Sequence, residues 1–269
     1  LLQSLSLAGF GRQRVVKVPT DNQGRMRPEL IPNIEPPCIV CLQAGNVNTG
    51  SFDPINEIAG PARKQGAWVH IDGAFGLWAK ASPEKAHLVS GIEEADSIAT
   101  DLHKWLNVPY DAGLALYREP TIAKDALSIT AAYLPHSTQR QPCDYTPDSS
   151  RRARGVEIWA ALLSLGRSGL TDLINRNCRF AKQFAKGLNS AGFEVLNDVV
   201  LNQVLVAFGS DHKTKEVISA VQQEGTCWCG STVWNGRTAM RISVSSWATT
   251  FEDVEHSLEA IIRVAGKSI

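Results

Sequence analysis

Short apolar runs rich in β-branched residues punctuate the first part of the chain, and each one stops at a polar or glycine-containing turn. Residues 38–44 (Cys-Ile-Val-Cys-Leu-Gln-Ala) read as a buried strand ending in Gly45-Asn46-Val47-Asn48-Thr49-Gly50. Ala67-Trp68-Val69-His70-Ile71 is a second strand, stopping at Asp72-Gly73-Ala74. Ser97-Ile98-Ala99-Thr100 is a third, stopping at Asp101-Leu102-His103-Lys104, and Gly113-Leu114-Ala115-Leu116-Tyr117 is a further one. Between the first two, a helix is predicted with Asp53 as N-cap, Pro54 in the first turn and Glu57 close behind. Gly60-Pro61 is expected to break or kink it before Arg63-Lys64-Gln65-Gly66 closes it. This strand–helix rhythm predicts an α/β fold with a mainly parallel sheet covered on both faces.

The pattern changes over residues 120–155, where Gln139 to Ser150 is polar, turn-rich and without periodicity, a loop of the kind that is often functional. The chain then turns helical. Leu170, Leu173, Ile174, Phe180, Ala181, Phe184 and Leu188 recur at helical spacing up to Gly192. Strands are expected from Val199 to Phe208 and over 240–245, and Thr249-Thr250-Phe251-Glu252 reads as a capping box opening a final helix. These elements predict a small α+β domain at 157–269 after a larger domain at 1–156. Leu1, Leu2, Leu5 and Ala8 fall at helical spacing with no basic segment before them, which reads as the tail of an amphipathic helix rather than a signal peptide.

Composition narrows the function classes. At 269 residues and 43% hydrophobic content, the chain can bury one large core or two modest ones. The 27 basic residues balance the 27 acidic ones, so no nucleic-acid or membrane-surface footprint is expected. No apolar run approaches the roughly 18 residues that cross a bilayer. Of six cysteines, Cys38 and Cys41 lie on a strand, where alternation sends the thiols to different neighbourhoods, and no metal site is expected. Cysteines read as free thiols fit a reducing, cytoplasmic setting.

The candidate chemistry lies at two strand ends. In an α/β sheet, polar groups at the carboxyl ends of parallel strands line the ligand crevice. Alone, Asp72 reads as a turn or cap residue, and Lys104 as a solvated charge. Together, with two small residues after Asp72 leaving room for a flat ring, they suit pyridoxal phosphate. A lysine amine forms a Schiff base with the aldehyde, and a carboxylate keeps the pyridine nitrogen protonated so that the ring accepts electrons. Trp105 adds bulk beside the lysine.

His-Ile-Asp-Gly-Ala at 70–74 and Asp-Leu-His-Lys-Trp-Leu-Asn-Val-Pro-Tyr-Asp at 101–111 resemble the group II pyridoxal-phosphate decarboxylases, the family of aromatic amino acid, histidine, tyrosine and glutamate decarboxylases. The resemblance runs over essentially the whole chain. It implies a fold-type-I pyridoxal-phosphate transferase fold, here a partial large domain plus the small domain. It also implies decarboxylation of an L-amino acid to an amine and carbon dioxide, by a protein that is homodimeric when complete. By the same resemblance, Lys104 carries the cofactor, Asp72 pairs with its ring nitrogen, Ala74 packs on its ring face and Asn48 reaches its phenolic oxygen. His103 touches phosphate or substrate, and Asp101 lies near the phosphate, where its charge must be turned away or shared. Tyr133 protonates the substrate carbon after carbon dioxide leaves, and Arg241 faces the substrate carboxylate. Arg151-Arg152-Ala153-Arg154 matches a basic run near the cofactor and the subunit interface. The family's N-terminal portion, with its dimer-forming helices, phosphate-binding turn and ring-stacking histidine, has no counterpart before Leu1, so the chain reads as a C-terminal fragment. Asp72 and Lys104 by themselves leave open an aminotransferase, a cysteine desulfurase (with Cys143 the only loop thiol) or a non-catalytic remnant.

Overall fold

The computed structural model describes residues 1–129 and 139–267. A six-residue helix α1 (Leu2–Leu7) opens the chain and buries none of its residues. Strand β1 (Ile39–Gln43) is followed by helix α2 (Ile55–Lys64), strand β2 (Trp68–Asp72), strand β3 (Ser97–Asp101), strand β4 (Gly113–Tyr117) and helix α3 (Pro120–Leu127). The sheet order is β1-β2-β3-β4; the first three strands are parallel and β4 runs antiparallel to β3. The expected mainly parallel sheet is present, with an antiparallel edge created where the chain reverses after Asp101. Alternation explains the burial of β2: Val69 and Ile71 are fully buried, while Trp68 and His70 on the opposite side are half-buried.

Two local expectations are corrected. Asp53 does not cap α2. It is buried, and its carboxylate accepts hydrogen bonds from the backbone N–H of Met26 (2.7 Å) and Gln43 (2.7 Å), tying the N-terminal segment to β1. Burial pushes its carboxyl group above the usual carboxylate range, against the two backbone bonds that act the other way. Helix α2 also runs through Pro61 to Lys64. The buried stripe Ile55, Ile58, Ala59 and Ala62 holds it against the sheet, and that packing outweighs the hydrogen bond that proline removes. Within 120–155, expected to be irregular, Pro120–Leu127 is helical and Pro142–Tyr145 makes a short 3₁₀ turn.

Helix α4 (Gly155–Ser190) follows, broken at Gly166, where φ is 59° and ψ is −171°. Beyond it come β5 (Glu194–Val195), β6 (Gln203–Ala207), α5 (Asp211–Glu224), β7 (Gly230–Trp234), β8 (Arg237–Ser243) and α6 (Phe251–Lys267). The second sheet is antiparallel throughout, in the order β5-β6-β8-β7. Asn235-Gly236 joins β7 to β8 with both residues at positive φ (48° and 79°), the two-residue hairpin that this dipeptide favours. The capping box of α6 forms between Thr250 and Asp253 rather than around Glu252: Asp253 N donates to Thr250 Oγ1 (3.2 Å), and Thr250 N donates to Asp253 Oδ2 (2.8 Å).

Two apolar cores result. One, around Leu42, Ile55, Val69 and Ile71, also takes in Trp105 and, from the later part of the chain, Ile174, Cys178 and Leu201. The other gathers Phe180, Phe184, Leu188, Val204, Val206, Met240 and Ile261. Helix α4 therefore contributes to both, and burial in the first pushes the Cys178 thiol up to about 11. Among the described residues, no helix is long and apolar enough to cross a membrane.

Candidate active site

Three parallel strands deliver their last residues to one edge of the first sheet, with Gln43 opposite Asp72 and Asp72 opposite Ala99. After β2, Gly73 N donates to Ala99 O (2.8 Å) and Asp101 N donates to Ala74 O (2.9 Å), so residues 73–74 lie against the end of β3. Asp72 is exposed. Among the described residues, its carboxylate accepts one bond, from Ala74 N to Oδ1 (3.1 Å), and Oδ2 is left for a ligand. Its charge partly offsets the burial that pushes His70 below the ordinary histidine range.

After β3 the chain turns through Lys104. Leu102, Trp105 and Leu106 are buried, whereas the Lys104 side chain is 44% exposed. Leu102 and Leu106 pack with Val108 and Ala112 against Ile158, Ala161 and Leu165 of α4, while Trp105 enters the first core. The apolar neighbours thus pin the turn and hold the amine outside. Lys104 Nζ lies 2.7 Å from Asp101 Oδ2, so the acid that sequence reasoning placed near a phosphate shares its charge with the lysine. A pair this exposed is worth about 0–1 kcal/mol, too little to lock the amine away from a reacting carbonyl.

His103 Nδ1 is 2.9 Å from Ala112 O and 3.2 Å from Ala112 N, so either tautomer finds a partner there and both contacts use the same ring nitrogen. The Tyr110 ring stacks on it at 4.1 Å between centroids. Arg154 binds the Asp111 carboxylate with Nη2 (2.6 Å) and Nε (2.8 Å), and Arg152 donates to Tyr110 O (3.1 Å). The basic run is therefore clamped onto the segment after Lys104. The Arg154 bond holds the Asp111 carboxyl below the usual range.

The turn after β1 flanks the same edge, joined by the bond from Ala44 N to Asp72 O (2.8 Å). Gly45 has φ of 95°, and a Cβ there would lie 2.9 Å from Gly76 Cα, so the close approach of two backbones requires glycine. Asn46 Oδ1 accepts from Asn48 N (2.9 Å), folding the turn on itself. Asn48 Oδ1 accepts from Thr232 Oγ1 (2.9 Å), which leaves its amide N–H groups as the donors available to a ligand oxygen. Arg241 donates from Nη1 to Val47 O (3.1 Å).

The structure thus brings Asp72, Ala74, Asp101, His103 and Lys104 to one sheet edge, with Asn48 on the adjoining turn and Arg241 reaching that turn from β8. Tyr133 lies outside the described residues. Sequence reasoning missed Thr232, whose hydroxyl fixes the Asn48 amide, and no local signal in the chain marks it. The donor set fits pyridoxal phosphate: a primary amine for an aldehyde, a carboxylate oxygen for a basic ring nitrogen, and a small side chain at Ala74 beside a flat ring.

Comparison with known proteins agrees with this chemistry. Residues 7–209 match the pyridoxal-dependent decarboxylase conserved domain. The chain is 30% identical to the aromatic-L-amino-acid decarboxylase of Drosophila lebanonensis, over 97% of its own length and 68% of the relative's. It is 28% identical to the histidine decarboxylase of Drosophila melanogaster, over 98% of its own length and 32% of the relative's. The crystal structure of Oryza sativa TDC with PLP and tryptamine superposes with a TM-score of 0.89 at 23% identity, covering 98% of this chain and 60% of that one. The chain thus spans between about a third and two thirds of the length of these proteins. With its lysine, acid and small residue on the carboxyl edge of a fold-type-I sheet, and a family match over most of its length, the chain belongs to the pyridoxal-dependent decarboxylase family.

Proposed function

We propose that this chain serves the pyridoxal-phosphate-dependent decarboxylation of an L-amino acid to an amine and carbon dioxide. The observation that carries the reading is the convergence of Asp72 and Lys104 on the carboxyl edge of three parallel strands, in a chain that belongs to a decarboxylase family. When bound, the cofactor supplies an electron sink for the pair released at the substrate α-carbon. Lys104 supplies the attaching amine, held at the sheet edge by its buried neighbours, and its ion pair with Asp101 is weak enough to yield to a carbonyl. Asp72 holds a proton on the ring nitrogen through its open oxygen. Ala74 leaves a flat face for the ring, Asn48 donates to the phenolic oxygen and His103 presents Nε2 to phosphate or substrate. Arg241 orients the substrate carboxylate, and Tyr133 returns a proton to the substrate carbon. Which bond at that carbon breaks depends on the orientation these groups impose.

The same reading includes a larger cofactor-binding unit at 1–156, a small unit at 157–269, a homodimeric complete protein and a cytoplasmic setting. Borohydride reduction of the cofactor-loaded full-length protein, followed by peptide mapping, should mark Lys104. Carbon dioxide and amine should appear together from the substrate amino acid. Labelling confined to other lysines, or a keto-acid product without carbon dioxide, would overturn the reading.

A further inference from the structure

We infer that Asn107 and Asn177 are positioning residues for Lys104, tying its turn to the connection between β8 and α6; the inference rests on the functional reading above. Asn177, on the second half of α4, is fully buried and uses both ends of its amide. Its Oδ1 accepts from Trp105 Nε1 (2.8 Å) and its Nδ2 donates to Ser246 O (3.2 Å). Trp105, 1% exposed, directly follows Lys104. Asn107 makes the parallel link from the other end of the turn: its Nδ2 donates to Trp105 O (2.5 Å) and Ser245 O (2.9 Å), and its Oδ1 accepts from Trp247 N (3.4 Å). With φ of 58°, position 107 needs a residue that tolerates the left-handed region, and asparagine does so while offering both a donor and an acceptor.

The connection these amides grip is held largely by side chains. Residues 244–246 belong to no helix or strand. Asn202, just before β6, brackets Val244, its Nδ2 donating to Val244 O (2.9 Å) and its carbonyl accepting from Val244 N (3.0 Å), and Arg176 of α4 donates to Thr249 O (3.1 Å); with Asn107 and Asn177, these are the main described anchors of residues 244–249. Movement of that connection must therefore move Trp105 and Asn107, the two residues that define where Lys104 leaves the turn. On the other side, His103 is held at Ala112. The lysine backbone is fixed from both flanks, and it is the Trp105–Asn107 flank whose described bonds run to the connection beyond the second sheet. A displacement of about 1 Å at a reacting group costs on the order of a hundredfold in rate. Loosening this flank should thus reach the chemistry although neither asparagine touches the cofactor site.

The test uses the full-length protein loaded with pyridoxal phosphate. Asn107→Gly keeps the left-handed backbone and removes all three side-chain bonds, and Asn107→Asp keeps the acceptor for Trp247 N but loses both donors. Both variants should lose at least about tenfold in kcat. Each should also show weaker visible circular dichroism per covalently bound cofactor, with the melting midpoint of the cofactor-free protein shifted by only a few degrees. Wild-type kcat and dichroism per bound cofactor in either variant would overturn the inference. So would a kcat loss that only tracks a smaller folded fraction, since that is what a merely structural role produces. If the wild-type protein forms no linkage at Lys104, the functional reading falls and takes this inference with it. If the linkage forms and the variants match wild type, this inference alone falls.

Discussion

The two sheets bury their strands by the same rule and use the result differently. In the first, parallel strands end together, so the polar residues that cannot continue into the core collect on one edge: Gln43, Asp72 and Asp101, with Lys104 just beyond. In the second, antiparallel strands alternate direction, so no edge gathers their ends. Strand β6 is buried at every position, and the residues that reach the neighbouring turn, Thr232 and Arg241, do so from the middle of β7 and β8. Parallel topology concentrates chemistry at a rim, while antiparallel topology supplies a packed support whose contributions leave from its side. Substitutions at the first rim should therefore damage turnover and spare stability, and substitutions inside the second sheet should do the reverse.

Lys104→Ala is the harshest test of the first half of that statement. It should abolish cofactor attachment and turnover while leaving the melting midpoint of the cofactor-free protein nearly unchanged, because the side chain is exposed and its ion pair with Asp101 is weak. Persistent attachment, read by borohydride reduction, would break the comparison at its centre. Leu205→Ala tests the other sheet. Leu205 is fully buried in β6, and the truncation should cost about 2–5 kcal/mol in chemical denaturation, while kcat per folded molecule stays within about twofold. A large kcat loss at unchanged stability there would dissolve the distinction.

Asp72→Asn should lower turnover by about a hundredfold or more, roughly 3 kcal/mol in the transition state, because an amide does not stabilise a positively charged ring nitrogen. Near-normal turnover would remove Asp72 from its proposed role. The smallest effect concerns His70, which lies on β2 with Nδ1 2.8 Å from Ser97 Oγ. Burial depresses its pKa, so the folded protein favours the neutral ring. Its contribution to stability is thus complete above the ordinary histidine pKa of about 6.5 and drains away as pH falls through the depressed value. His70→Gln should flatten the loss of stability on acidification. An unchanged slope in urea titrations between about pH 7 and pH 5 would show that other groups govern it.

Much of the fold was legible because it depends on periodicity. The strands ending at Asp72 and Asp101 follow from β-branched runs with abrupt polar stops, and the helical stretch ending before Gly192 follows from its apolar spacing. The misreadings share one cause: local preference was outbid by packing. Asp53 has the composition of a cap, but two backbone N–H groups from distant segments claimed its carboxylate. A break at Pro61, one of the two outcomes expected there, did not occur, because a buried apolar stripe carried α2 past it. The Asn235-Gly236 hairpin, by contrast, follows from the dipeptide itself, since both residues tolerate the positive φ that a two-residue turn requires.

The sequence by itself determined which residues could do chemistry. An acid and a lysine 32 residues apart, each at the end of an apolar run and each inside a family motif, identify a cofactor type and a sheet edge without coordinates. Tertiary structure alone decided how that edge is supported. That Asp101 shares its charge with Lys104, that Arg154 clamps Asp111, and that Asn177 reaches Trp105 across 72 residues of chain are facts of folding in space. Local patterns report only what each residue prefers. Hydrogen-bond partners so far apart are chosen by the packing of cores, which the order of residues constrains only through the whole fold.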